Sequence, residues 1–203
     1  MAKKKTQAKT VSKWKRKQFF EIVAPREFDS KIIGETLANK PEQVIGRTVK
    51  VDLNELTKER RATHIILIFK ITKVVGNKAN TIFIGHELNP SYLGRIIRRR
   101  RTKIEVIEFP QTKDRKKVKI TLVCVTQGKV SNRVAKAIRK TAKDIIENSA
   151  RKREFCHFAQ EIIFGILSAK IFKAVKKIAP IYRVEVAKSK LISVEEEKTA
   201  KKK

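Results

Sequence analysis

Acidic residues are scarce in this chain. Twenty Asp and Glu face fifty Lys and Arg over 203 residues, a formal net charge of +30. Solubility requires nothing of that size, and a compact state carrying it repels itself. A polyanion has to offset the excess, and the classes available are nucleic acid, an anionic membrane surface or an acidic protein. Long hydrophobic runs are also missing: the longest, residues 65–69 and 162–167, fall far short of the roughly 18 residues that span a bilayer. No membrane association is therefore expected. The opening residues Met1, Ala2, Lys3, Lys4 and Lys5 lack the apolar stretch of a secretory signal, so the expected compartment is the cytoplasm.

Cysteine and histidine are few as well. Cys124 and Cys156 show no CxxC spacing and read as buried thiols, with no disulfide framework. His64, His86 and His157 stand far apart, without HExxH, GxSxG, a P-loop or a Gly-rich nucleotide turn. His157 beside Cys156 lacks the second Cys/His pair that a structural zinc site needs. Gly85, His86 and Glu87 could form a general-base pair, but a hydrogen-bonded turn histidine is the commoner reading, and neither nucleophile nor pocket signal accompanies them. The expectation is no catalytic residue, no metal, no cofactor and no small-molecule substrate.

What is present is a β-rich pattern followed by a helical one. Residues 19–24, 48–53 and 64–75 read as strands, the second by the alternation of Val49, Val51 and Leu53. Gly76, Asn77 and Asn80 between two β-rich runs mark a hairpin. A second hairpin joins residues 104–109 to 116–126, where Val118, Ile120, Leu122 and Cys124 face a core while Lys117 and Lys119 face away. From Lys129 the period changes. Val130, Val134, Ile138 and Ile145 share one helical face, with Lys129, Arg133, Lys136, Lys140 and Lys143 about opposite. A second helix over residues 153–177 is indicated by Phe155, Phe158, Ile162, Ile166, Ala169 and Phe172, and Pro180 ends it. Residues 181–187 return as a strand. The predicted fold class is α+β: a small antiparallel β-barrel-like core with two C-terminal helices and a returning strand, flanked by basic tails. Its predicted organisation is a disordered basic arm over 1–18, a single globular β-rich domain over 19–193 and a charged disordered tail over 194–203.

Three segments are candidate RNA-binding sites. Arg95, Arg98, Arg99, Arg100, Arg101 and Lys103 put six cations into nine residues without an acid, and the planar fork of arginine suits phosphate contact and base stacking. Such charge runs usually lie in tails, whereas this one lies between a hairpin and a strand. The helix stripe Lys129, Arg133, Lys136 and Lys140 is less specific, since any exposed helix face can be basic. Lys13, Trp14, Lys15, Arg16 and Lys17 interleave one indole with cations, fit either for stacking on a base or for anchoring in the protein's own core. An RNA-processing enzyme or a DNA-compacting protein would share the composition. The first would need a cleft of convergent titratable groups, and the second would bind duplex DNA at physiological salt.

The chain resembles the archaeal and eukaryotic small-subunit ribosomal protein family S-three-Ae, or e-S-one in the unified naming. The landmarks are Ala24 and Pro25 followed by Phe28; Ile33 to Leu37; Gly46 and Arg47 with Leu53 and Leu56; Phe83 to Leu88; Arg98 to Ile104; Ala137 to Lys140; and Lys176 to Val186. Lys50, Asp52 and Glu55 depart from the family's usual residues. The resemblance implies a structural constituent of the small ribosomal subunit, binding rRNA on the platform near the mRNA exit and supporting subunit assembly and translation. The partners it implies are small-subunit rRNA, neighbouring platform proteins and, as a further candidate, mRNA near the exit.

Overall fold

The computed structural model describes residues 17–57 and 64–193. In chain order the elements are strand β1 (Gln18–Val23), β2 (Ile32–Ala38), β3 (Thr48–Asp52), helix α1 (Leu53–Thr57), β4 (Ile65–Val75), β5 (Lys78–Leu88), α2 (Pro90–Ile96), β6 (Lys103–Glu108), β7 (Lys117–Thr126), α3 (Asn132–Arg151), α4 (Phe155–Ile163), α5 (Ile166–Val175) and β8 (Ile181–Ser193). The strands follow the path β2-β1-β5-β8-β7-β6, with β4 paired to both β3 and β5. The α+β class therefore holds, but the sheet is open. The barrel-like closure is corrected: β8 inserts between β5 and β7, and the ends of the path, β2 and β6, do not meet.

The chain divides into two compact units. The first takes the residues up to Val49 together with Lys70–Ile82. Here β1 and β2 pair antiparallel, Gln18 opposite Ala38, while β1 and β5 pair parallel over Glu21–Lys78, Ile22–Ala79 and Val23–Asn80. Hairpin logic did not anticipate that parallel contact, because no hairpin joins those two strands. The core of this unit is Phe20, Ile22, Ala38, Val44, Ile71 and Ala79, with Ile33, Val49 and Val74 against it. Gly76 sits at φ 61° in the β4–β5 turn, a conformation that costs a Cβ-bearing residue energy.

The second unit, Lys50–Phe69 with the chain from Phe83 onward, carries the hairpin β6–β7, with β8 antiparallel to β7. One face of β6 and β7 buries Ile104, Val106, Val118, Ile120, Leu122 and Cys124. Helix α3 packs on β6 and on α5, and α5 packs on β8. A helical layer thus covers apolar strand positions that a barrel would bury against its own far wall. The buried positions of α3 are Ala135, Ile138, Ala142, Ile146 and Ala150, with Val134 and Ile145 half-buried at the margin.

The predicted second helix is two helices. Gly165 at φ 72° ends α4 and precedes α5, and the pair bends by 68°. The break resets the helical phase: Leu167, Ser168, Ile171 and Val175 are buried in α5, whereas Ile166 and Ala169 are exposed. Among the described residues no single helix is long and apolar enough to cross a membrane. Glu161 of α4 is buried and takes both Arg153 and Lys170 on one carboxylate oxygen, Lys170 at 2.7 Å.

Candidate nucleic-acid interface

The arginine run is held by a helix that composition alone does not reveal. Asn89 caps α2, its side chain accepting from the Ser91 amide at 3.0 Å, and Pro90 stands at the first helical position. That is a favoured start, since Pro brings a preset φ and no amide to satisfy. Ile96, with Tyr92, Leu93 and Ile97, packs on Val123, Val125 and Ala187, so α2 is fixed to one half of the outer face of β7 and β8. The chain then turns sharply. The Arg101 amide donates to the Arg98 carbonyl at 3.3 Å, and Arg100 sits at φ 66°, a left-handed conformation that is uncommon for a residue with a Cβ.

This turn sorts the predicted cations. Arg98, Arg99 and Arg100 are exposed and, among the described residues, face no acidic partner. Arg98 donates to the Arg95 carbonyl at 3.3 Å. Arg101 is turned inward: it stacks on Tyr182 at 3.6 Å and donates to the Ile96 carbonyl at 3.1 Å. Arg95 lies 5.5 Å from the Tyr92 ring, and Lys103 is ion-paired with Glu105. Tyr92 donates its hydroxyl to Glu185 at 3.2 Å; burial, then the Glu185 charge, pushes its pKa up.

The second predicted segment adjoins the first. Thr126, fully buried, accepts from the Thr102 amide at 3.0 Å, and its own amide donates to the Thr102 carbonyl at 3.1 Å. The Thr102 hydroxyl in turn accepts from the Val130 amide at 3.2 Å. Two threonines therefore fasten the end of the arginine turn to the entry of α3. Along α3, Arg133, Lys136 and Lys140 are exposed and continue the line from Lys129; these four also face no acid among the described residues. At 1.5 Å per residue the helical part of the line, Arg133 to Lys140, extends about 10 Å, and Lys129 stands in the segment before α3. Lys143, one turn on, is taken by Glu108 at 3.2 Å, so the uncompensated stripe stops at Lys140.

The three arginines of the turn, Lys129 before α3 and three cations on α3 thus form one ridge with no acidic partner among the described residues, a potential suited to a phosphate backbone. Lys13, Trp14, Lys15 and Arg16 lie outside the described residues, as do the tail positions 194–203. Lys17 is described and precedes β1, which begins at Gln18. Sequence reading passed over Arg139, which is exposed and donates to the Glu105 carbonyl at 3.4 Å. It also passed over Tyr182, whose ring orders Arg101; its place two residues after Pro180 was the available cue.

The other titratable candidates serve structure. His86 lies within β5, not in a turn. Its Nε2 donates to the Val186 carbonyl at 3.0 Å, and its Nδ1 faces the Ser189 hydroxyl at 2.6 Å. A carbonyl only accepts, so the proton belongs on Nε2. Burial lowers the pKa of His86 to about 4. Glu87 receives Lys188 at 2.7 Å and Lys50 at 3.4 Å, and the hydrogen bond from Lys188 holds its carboxyl below the ordinary value. The departure at Lys50 therefore has a local acidic partner. Burial pushes the Cys124 thiol up to about 12, while Cys156 is only half-buried, a correction to the reading of two buried thiols. Among the described residues no three His, Cys, Asp or Glu side chains gather as a metal site would require.

Comparison with known proteins places this geometry in a family. Residues 5–195 match the model of the Ribosomal S3Ae family. The chain is 34% identical to the small ribosomal subunit protein eS1 of Methanoculleus marisnigri over 96% of this chain and 98% of that protein. It is 37% identical to the protein of the same name in Archaeoglobus fulgidus, over 95% and 92%, and 36% identical to that of Desulfurococcus amylolyticus, over 94% and 89%. A family match over nearly the whole length, joined to identities above one third across more than nine-tenths of two relatives, means that the chain belongs to the Ribosomal S3Ae family.

Proposed function

We propose that this protein is a structural constituent of the small ribosomal subunit in the cytoplasm, binding rRNA at the platform near the mRNA exit and supporting subunit assembly and translation. The family is one of ribosomal structural proteins, not of enzymes. The observation that carries the RNA assignment is the acid-free ridge of Arg98, Arg99, Arg100, Lys129, Arg133, Lys136 and Lys140. Exposed cations without counter-charge repel one another, and a ribose-phosphate backbone lying along them removes that repulsion and releases condensed counterions. A-form helices hide base edges and present phosphates and 2′-hydroxyls, so binding of this kind reads shape more than sequence.

Within this reading Arg95, Arg101 and Lys103 position the ridge, and the segment with Lys13, Trp14, Lys15, Arg16 and Lys17 adds phosphate contacts beyond it. Neighbouring platform proteins are the protein partners, and mRNA near the exit is a further contact. The test replaces Arg98, Arg99 and Arg100 together with Ala and follows incorporation into small subunits by gradient sedimentation. Loss of incorporation supports the assignment, and unchanged incorporation removes the turn from it.

A further inference from the structure

Helix α2 covers only one end of the outer face of β7 and β8, and β6 continues that face beside β7. The register lays out the remainder row by row. Ile107 lies opposite Thr121, Thr121 opposite Lys188, and Lys188 opposite Glu87, so this row ends in a cation already held by an acid. In the adjoining row Lys119 lies directly opposite Lys190, and Lys190 opposite Gly85. On the β6 side the row is completed by Phe109, 57% exposed, with the Lys119 ammonium 5.8 Å from its ring centroid. Beyond it stands Lys117, also exposed. Among the described residues no acid pairs with Lys117, Lys119 or Lys190.

Two features of this row need a partner. Like charges directly opposite on neighbouring strands destabilise a sheet, and here no acid among the described residues offsets them. An aromatic ring and two aliphatic side chains, Ile107 at 49% and Ile192 at 53% exposure, are spread around them on the same half-covered end. A protein partner complementary to this face would have to bring acidic side chains to the lysines and apolar ones to Phe109, Ile107 and Ile192 together. An unpaired RNA strand satisfies both features at once: its phosphates neutralise the lysines, and a base has the π face that an exposed phenylalanine accepts. Adjacent strands are about 4.8 Å apart, so the row from Lys190 through Lys119 to Phe109 spans about 10 Å, the scale of one or two nucleotides. Gly85 at the end of the row presents no side chain; a Cβ there would lie 2.0 Å from the Ser189 carbonyl oxygen.

We infer that the Lys190–Lys119–Phe109 row is a second RNA site, distinct from the ridge on the turn and α3, which takes a single-stranded segment with one base stacked on Phe109. It extends the RNA reading above from duplex backbone to unpaired nucleotides. The test uses the full chain and two labelled probes at fixed salt: a uridine strand of about ten nucleotides and an RNA hairpin with a stem of about 16 base pairs. Phe109→Ala weakens the strand about tenfold, within the range for loss of one base–aromatic stack, and leaves the hairpin unchanged; Phe109→Trp retains strand binding. Lys190→Gln lowers the strand's salt slope by about 0.7, the value for one phosphate on a single strand. Thermal unfolding of each variant checks that the fold is kept. Strand affinity unchanged in both Phe109→Ala and Lys190→Gln, or an equal loss on both probes, overturns the site. So does intact strand binding by a Phe109→Ala variant that fails to join small subunits, which would assign the face to a protein. Failure of the wild-type chain on the hairpin alone would count against the ridge and not against this row.

Discussion

Arg101 and Tyr182 lie face to face, the guanidinium carbon 3.6 Å from the ring centroid, with Nη1 donating to the Ile96 carbonyl. The contact separates Arg101 from the three arginines before it, although all four are the same residue in one run. Arg101→Ala should lower unfolding stability by about 1–2 kcal/mol, from a lost cation–π contact and a charge-assisted hydrogen bond. Arg99→Ala should leave stability within about 0.5 kcal/mol, as surface changes do, while reducing the salt slope of RNA binding by about 0.7–0.9. Denaturant unfolding and RNA titration over a salt series distinguish the two; equal behaviour of the variants contradicts the division.

Thr126 joins the arginine turn to α3. Thr126→Val keeps the shape but removes the hydroxyl that accepts from the Thr102 amide and lies 2.6 Å from the Gly128 carbonyl. A part-buried donor and acceptor then lose partners, at a cost of about 1 kcal/mol. Chemical denaturation reads the stability. The RNA off-rate should rise more than the on-rate falls, because every cation of the ridge is still present.

His86 makes stability depend on pH. Its folded pKa is near 4, against an unfolded value near 6.5, so between these limits the unfolded chain binds more protons than the folded one. Stability is therefore full above about pH 6.5 and falls as the pH drops towards 4, by up to about 3 kcal/mol in this one group. Denaturant midpoints measured at pH 7 and pH 4.5 should differ more in the wild type than in His86→Gln; identical pH profiles would show that burial of the imidazole is not the cause.

Gly165 carries the bend between α4 and α5 at φ 72°. Gly165→Ala has open space for its methyl group, so its cost is conformational alone, about 1 kcal/mol. The unfolding midpoint should fall accordingly, and a rise would mean that α4 and α5 had straightened into one helix.

Much of the fold was written in local pattern. The alternation Val118, Ile120, Leu122, Cys124 against Lys117 and Lys119 gave β7 its two faces, and Gly76 with Asn77 gave the β4–β5 turn. The failures have separable causes. β2 was hidden because Gly34 interrupts it and its burial does not alternate cleanly. α2, at seven residues, is shorter than two full turns, too short for a helical period to stand out, and its Asn89-Pro90 start leads directly into the arginine run. β8 runs on to Ser193 because Lys188 and Lys190 take its outward positions, a polar stretch that breaks the apolar alternation on which the strand over 181–187 was expected. The ridge was legible as charge, but not its membership. That Arg101 is engaged depends on Tyr182, a partner that only the folded chain brings into reach, whereas Glu105, which pairs with Lys103, stands two residues along the same strand; Lys129 and Arg133 find no acid among the described residues.

The threonine link between the turn and α3 changes what association with RNA must supply. A flexible basic arm loses chain entropy each time it settles on a target, and that loss is subtracted from its affinity. Here Thr102 and Thr126 fix the spacing of the cations when the protein folds, so docking draws on charge and shape with little further ordering. A fixed array is also selective: it favours the backbone curvature that matches it and disfavours the others, giving a surface without base contacts a way to prefer one folded RNA over another.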